Sequence, residues 1–264
     1  MEAVLSQPRG YLLDLDGTLY SGGAAIPGAV AAVDRLRRQQ IPVRLVTNTT
    51  SRSRAMLVER LRGYGFEVST EEVFTATLAG SRLARTAGYR CVAPFMPEPA
   101  LQDMAELELA GGTSGRTGGC VPQAVMVGDL GERWSYGLLQ EAFEYVMAGA
   151  ELIALSRDRY WWDQDRLALD AGPFVAALEF ATGKSAMVAG KPSPSFYAAA
   201  LQSLGVQPAG SVAMIGDDLW SDVEGAQRAG LQGWLVRTGK YRETALTESA
   251  VLPDRILDSV AELG

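Results

Sequence analysis

Short apolar runs recur along the chain, and several of them stop abruptly at a polar or charged residue. Tyr11-Leu12-Leu13 runs into Asp14, then Leu15-Asp16-Gly17-Thr18. The run is short and apolar on both faces, so it predicts a buried parallel strand. Val43 to Val46 predicts a second strand with Thr47-Asn48 at its carboxyl end. Between them, Gly28 to Gln39 carries Val30, Val33 and Leu36 on one helical face and ends in basic residues. Arg52 to Arg62 predicts the next helix, with Ser51 or Ser53 as its cap and Gly63 near its stop. Strand, helix, strand, helix is the order of a parallel α/β sheet.

The pattern changes around 74–88. A helix over Leu78 to Arg85 leads to a strand at Cys91 to Ala93 and then to Pro94, Pro97 and Pro99. Leu101 to Leu109 predicts another helix, and Gly111 to Gly119 an exposed loop with no chemistry of its own. Ala124 to Val127 and Leu152 to Leu155 predict strands flanking a helix from Tyr136 to Ala148. The first pattern then returns: a strand at Ala186 to Val188, a helix capped by Ser193 and opened by Pro194, a strand at Val212 to Ile215, a helix to Ala229 and a strand at Trp234 to Val236. The fold class expected is α/β: a doubly wound parallel, Rossmann-like core over 1–76 and 185–264, with an α/β cap domain inserted at 77–184.

Composition narrows the chemistry. The chain has 264 residues, 47% apolar and 21% charged, a balance suited to a packed core. A net charge of −7 speaks against a nucleic-acid surface, and no apolar run approaches the ~20 residues of a membrane span. No cationic segment followed by an apolar stretch opens the chain, so the cytoplasm is the expected compartment. Two cysteines, Cys91 and Cys120, lie far apart in sequence and are expected as buried or incidental thiols. Histidine is absent, which removes Ser-His-Asp triads, histidine phosphatases and imidazole-built zinc sites. Acid–base work falls to carboxylates, Lys, Tyr or Cys.

Four stretches share one placement, at or just after the carboxyl end of an expected parallel strand: Asp14 and Asp16, Thr47-Asn48, Lys191, and Asp217-Asp218 with Asp222. Open α/β sheets gather such ends along one edge, where ligands bind. Each stretch has a plainer reading when taken singly: a turn before glycine, a strand-end turn, a surface lysine, a helix cap. Together they supply what phosphoryl transfer to an aspartate needs. Asp14 is the candidate nucleophile and Asp16 the acid that protonates the leaving oxygen and later deprotonates water. Paired carboxylates on so apolar a background call for a cation, and oxygen-only ligands suit Mg²⁺.

Asp14-Leu15-Asp16-Gly17-Thr18 and the three later stretches resemble the four motifs of the haloacid dehalogenase superfamily of phosphatases. The insertion between the second and third motifs is similar to the type IIA members, which carry a C2 cap. Gly172-Pro173-Phe174, Gly190 to Pro194, Met214 to Asp218, Gly225 to Arg228 and Val236 to Lys240 add to the likeness. The resemblance implies metal at Asp14, Asp16 and Asp217. It implies phosphate contacts from Asp14, Leu15, Asp16, Thr47, Asn48 and Lys191, with Asp218 and Asp222 behind them. The partner implied is a small phosphorylated substrate. A signalling receiver and a phosphomutase use a similar aspartate pocket and remain alternatives. Thr49 stands where several type IIA members have a second asparagine, and no cap histidine exists, so relatives acting on pyridoxal phosphate or sugar phosphates are poor guides to substrate. Within 156–171, Arg157, Arg159, Tyr160, Trp161 and Trp162 form an aromatic–basic cluster. It either recognises a leaving group or packs the cap or a homodimer contact.

Overall fold

The computed structural model describes residues 7–115, 119–163 and 166–264, at 162 and 163 by their backbone only. The chain opens with β1 (Gly10–Asp14), the short antiparallel pair β2 (Tyr20–Ser21) and β3 (Ala24–Ala25), α1 (Ala29–Arg38), β4 (Val43–Thr47), α2 (Arg54–Gly63) and β5 (Val73–Thr75). It continues with α3 (Ala76–Thr86), β6 (Cys91–Phe95), β7 (Glu108–Leu109), β8 (Ala124–Val127), α4 (Tyr136–Met147) and β9 (Glu151–Ala154). The hairpin β10 (Tyr160–Asp163) and β11 (Arg166–Leu169), α5 (Gly172–Thr182) and β12 (Met187–Val188) follow. Last come α6 (Pro194–Leu204), β13 (Val212–Gly216), a π-helical turn (Leu219–Glu224), α7 (Gly225–Arg228), β14 (Gln232–Val236), α8 (Glu243–Glu248) and β15 (Arg255–Leu257). Contacts divide the chain into two compact units, one of Met1–Thr47, Leu57–Phe74 and Lys191–Gly264, the other of Asn48–Met56 and Thr75–Gly190.

The first unit is built on a six-stranded sheet in the order β15-β14-β13-β1-β4-β5. β1 lies between β13 and β4, parallel to both, with Leu12 opposite Met214 on one side and Arg44 on the other. All five of its residues are buried, because helices cover both faces and an apolar run satisfies both. Tyr11 and Leu13 pack on Ala29, Ala32, Val33 and Leu36, the inner stripe of α1. The chain adds β4 on one side of β1 and later β13 on the other, so the direction of winding switches beside β1. That switch opens a crevice beyond the carboxyl ends of β1 and β13.

The second unit holds a five-stranded sheet in the order β12-β9-β8-β6-β7, parallel throughout. Side chains alternate between two cores. Ala93, Phe95, Val125, Val127, Leu152 and Ala154 face α4 and α5, while Val92, Ala124, Met126 and Ile153 face Ala84, Ala100 and Met104. Both units are therefore α/β layers with parallel sheets, as the apolar runs indicate.

Several local expectations need correction. The strand at Cys91 continues through Pro94 to Phe95. β7 pairs only with Cys91 and Val92, so Pro94 borders no strand on that side and its missing N–H costs no ladder bond there. The helix expected over Leu101 to Leu109 is a 3₁₀ stretch at Glu98–Met104 followed by β7. The strand near Ala186 to Val188 joins β9 in the second unit's sheet. The helix expected to run to Ala229 is a π-helical turn continued by α7. Cys91 and Cys120 are joined in a disulfide with a Cα–Cα distance of 6.1 Å, not separate thiols. The parallel pairing of β6 with β8 brings the start of one strand beside the segment leading into the other. The loop expected over Gly111 to Gly119 includes a 3₁₀ turn at Gly112–Ser114, and its residues 116–118 lie outside the described residues. No described helix is long and apolar enough to cross a membrane.

Candidate active site

Asp14 is the last residue of β1 and is buried at its tip. After it the chain turns tightly, with the Leu15 carbonyl accepting from the N–H groups of Leu19 and Tyr20 at 2.9 and 3.2 Å. Gly17 makes this turn with φ of +84°, and a Cβ there would lie 2.0 Å from Asp217 Oδ2. Gly239, on the loop after β14, has φ of +60° and would place a Cβ equally close to the same oxygen. Two loops thus approach the Asp217 carboxylate as only glycine permits. Lys240 then donates its backbone N–H to Asp217 Oδ2 at 2.6 Å.

Lys191 is 4% exposed, far from the surface lysine of the plainer reading. Its Nζ sits 2.5 Å from Asp14 Oδ1 and 2.6 Å from Asp222 Oδ1. The other Asp222 oxygen accepts from the Asp218 N–H at 3.1 Å. Asp218 Oδ1 accepts from Trp220 and Ser221 N–H at 3.0 Å each, capping the π-helical turn, and Oδ2 pairs with Lys240 Nζ at 3.2 Å. Carboxylate oxygens of Asp14, Asp217 and Asp222 lie within 4.8 Å of one another.

Three buried carboxylates share this space with one buried ammonium. Burial raises the Asp14 pKa, with Lys191 opposing the shift. Burial and then the charges of Asp14 and Asp222 push Asp217 well above the usual carboxylate range. Burial, opposed by Lys191, takes Asp222 to about 7. Burial also opposes the Lys191 charge, but Asp14 and Asp222 outweigh it and hold the ammonium protonated. Asp218 is half-buried, and although desolvation acts to raise its pKa, Lys240 and the turn amides bring it below its ordinary value. The negative charge left over, on oxygen donors alone, fits a hard divalent cation.

Of the other expected residues, Thr47 ends β4 and is buried, one position beyond the Val46 that pairs with Asp14. Asp16 is exposed on the turn, and Leu15 buries its side chain in the first unit's core. Asn48 follows Thr47 in the chain, and its Nδ2 donates to Asp158 Oδ2 at 3.4 Å within the second unit. In the aromatic–basic stretch, Arg157 makes a two-pronged pair with Glu179 at 3.1 and 2.7 Å, and Glu179 also accepts the Ala186 N–H. Arg157 is therefore engaged in the second unit's own structure. Trp161 is 42% exposed and hydrogen-bonds Asp129. The Trp162 side chain lies outside the described residues. The sequence reading assigned nothing to Gly17, Gly239 or the Lys240 amide. The available signal was the Thr238-Gly239-Lys240 turn directly after an apolar strand.

A doubly wound α/β unit that sets a buried lysine against the buried carboxylates at its strand ends has the donors to hold an anion and a metal. Residues 11–110 match the family described as haloacid dehalogenase-like hydrolase, and residues 188–263 match a second HAD-like hydrolase family. The chain is 42% identical over 234 residues to haloacid dehalogenase-like hydrolase domain-containing protein 2 of Bos taurus, covering 89% of this chain and 86% of that one. It is 39% identical over 266 residues to the phospholysine phosphohistidine inorganic pyrophosphate phosphatase of Homo sapiens, covering 98% and 93%. Among solved structures, p-nitrophenyl phosphatase from Archaeoglobus fulgidus is similar with a TM-score of 0.87 and 28% identity, covering 97% of this chain and 98% of that one. The chain belongs to the haloacid dehalogenase-like hydrolase family and is a hydrolase of that class.

Proposed function

We propose that this protein is a Mg²⁺-dependent phosphatase that hydrolyses small phosphorylated substrates in two steps through Asp14. The observation that carries the reading is the buried Asp14 carboxylate at the tip of β1, held 2.5 Å from the buried Lys191 ammonium. Similarity to proteins named as phosphatases supports it.

In the first step an Asp14 oxygen attacks phosphorus. The new O–P bond forms as the ester O–P bond breaks, and Asp16 gives its proton to the departing oxygen. Asp16 is exposed on the turn, which lets it exchange protons with solvent. In the second step Asp16 takes a proton from water as that water attacks the phosphorus, and the Asp14 carboxylate is regenerated. Lys191 places a fixed positive charge beside the transferring group, and Thr47, Asn48 and the Leu15 backbone hold its oxygens. Asp14, Asp217 and the Asp16 carbonyl would hold Mg²⁺, which offsets the repulsion between carboxylate and phosphate when bound. Asp222 is the less apt ligand, since Lys191 and the Asp218 amide already bind its two oxygens. Residues 77–184 serve in this reading as the cap, which sets access and substrate size.

The test is phosphate release from p-nitrophenyl phosphate, expected with Mg²⁺ and lost in EDTA. Phosphate retained on the protein without turnover would instead indicate a signalling receiver.

A further inference from the structure

Tyr197 lies on α6, fully buried, three residues past the helix's opening proline. A buried phenol needs a hydrogen-bond partner. This one reaches the backbone of the neighbouring turn. Its hydroxyl donates to the carbonyl of Ser221, and the Asp222 carbonyl lies 3.2 Å away. Both carbonyls belong to the π-helical turn Leu219–Glu224, a rare geometry that collects at functional sites.

That turn has little room to move in other directions. Gly216 lies under Asp222, where a Cβ would come 2.0 Å from Oδ2. Gly225 lies against Pro192 and the Tyr197 ring, where a Cβ would meet atoms at 2.7 to 2.9 Å. Backbone at the turn, the ring of Tyr197 and the proline after Lys191 are therefore packed as one block. The Asp222 side chain leaves this block toward Lys191 Nζ, which also bonds Asp14.

We propose that Tyr197 is a positioning residue for the hydrolytic site, its hydroxyl fixing the π-helical turn so that Asp222 holds Lys191 beside Asp14. The proposal rests on the phosphatase reading for its kinetic consequence, but its structural consequence can be measured without substrate.

The experiment compares Tyr197→Phe, Asp222→Asn and the double variant, with Phe196→Leu as a control that perturbs the same helix without touching a hydroxyl. Tyr197→Phe should lower kcat on p-nitrophenyl phosphate about tenfold with KM within about twofold. In the Asp222→Asn background the same change should cost less than about twofold more, because both act through one contact. Native-state hydrogen exchange should quicken about tenfold at the Asp218 amide, which donates to Asp222, in Tyr197→Phe but not in Phe196→Leu. Additive losses, unchanged exchange at Asp218, or an unfolded Tyr197→Phe would each overturn the proposal. No phosphate release by the unaltered protein would sink the phosphatase reading instead, while the exchange measurement would still decide the role of Tyr197.

Discussion

The two sheets of this molecule share one architecture and differ at their tips. In the first unit β1 ends on Asp14, β4 on Thr47, and β13 runs through Gly216 into Asp217. In the second, β6 runs into Met96, β9 into Leu155 and β12 into Ala189, all of them buried apolar residues. Parallel strands bring their carboxyl ends together in either case. The first sheet places carboxylates directly at the tips of β1 and β13, whereas around the second sheet charge comes later, as Asp129 two positions past β8 and Lys191 three past β12, so the candidate chemistry gathers at the first sheet's edge. Fold places the edge, and the residues at the edge decide what it does.

The sharpest way to break this contrast is Asp14→Asn, which keeps the shape of the β1 tip and removes the proposed nucleophile. Phosphate release should fall by at least about 10³-fold while thermal unfolding stays cooperative. Substantial turnover in the folded variant would return Asp14 to an ordinary strand end. Lys191→Met comes next. A fixed charge facing a phosphoryl group is typically worth about 10²–10³ in rate, or roughly 3–4 kcal/mol. A few-fold loss would mean that the lysine only balances buried carboxylates.

The same carboxylates set a pH dependence of unusual sign. Burial holds Asp222 at about 7 in the folded chain, well above the ordinary aspartate value. A raised carboxylate pKa means that the folded state binds its proton more tightly than the unfolded chain. The stability gained is present at low pH and is lost as pH rises from about 4 through 7. Metal-free protein should therefore melt at a higher temperature at pH 5 than at pH 8, and Mg²⁺ should raise the melting temperature more at pH 8. Equal melting with and without Mg²⁺ at both values would count against a metal at this cluster.

The smallest effect belongs to the second unit. Arg157→Ala removes a pair whose arginine is 45% exposed, so the loss should be no more than about 1 kcal/mol. Hydrolysis of p-nitrophenyl phosphate should be unchanged. A large fall in kcat/KM for one substrate but not others would give the second unit a chemical role at Arg157.

What could be read from the chain follows the same division. An apolar run cut off by Asp14, or by Gly216-Asp217, marks both a strand and its polar tip, so the strand ends that build the candidate site were legible in the sequence. The second unit gave weaker signals. Helix α5 buries Gly172, Val175 and Leu178 yet leaves Phe180 94% exposed, so its apolar residues mark no single face. The hairpin β10–β11 carries aromatic and charged residues with no alternation that would have announced it. Pro94 looked like a strand end because sequence cannot tell which neighbour is missing. Asp222 could be grouped with the site from its spacing, but its hold on Lys191 depends on a π-helical turn that has no signature of its own.

One covalent feature reaches beyond stability and catalysis. The Cys91–Cys120 bond closes a ring of backbone spanning 29 positions, from β6 through β7 to the approach of β8. A single cut by a protease anywhere inside that ring leaves one molecule, not two. Such a nick would pass unseen on a non-reducing gel and appear as two fragments only once the bridge is opened, so the apparent integrity of a preparation depends on how it is denatured.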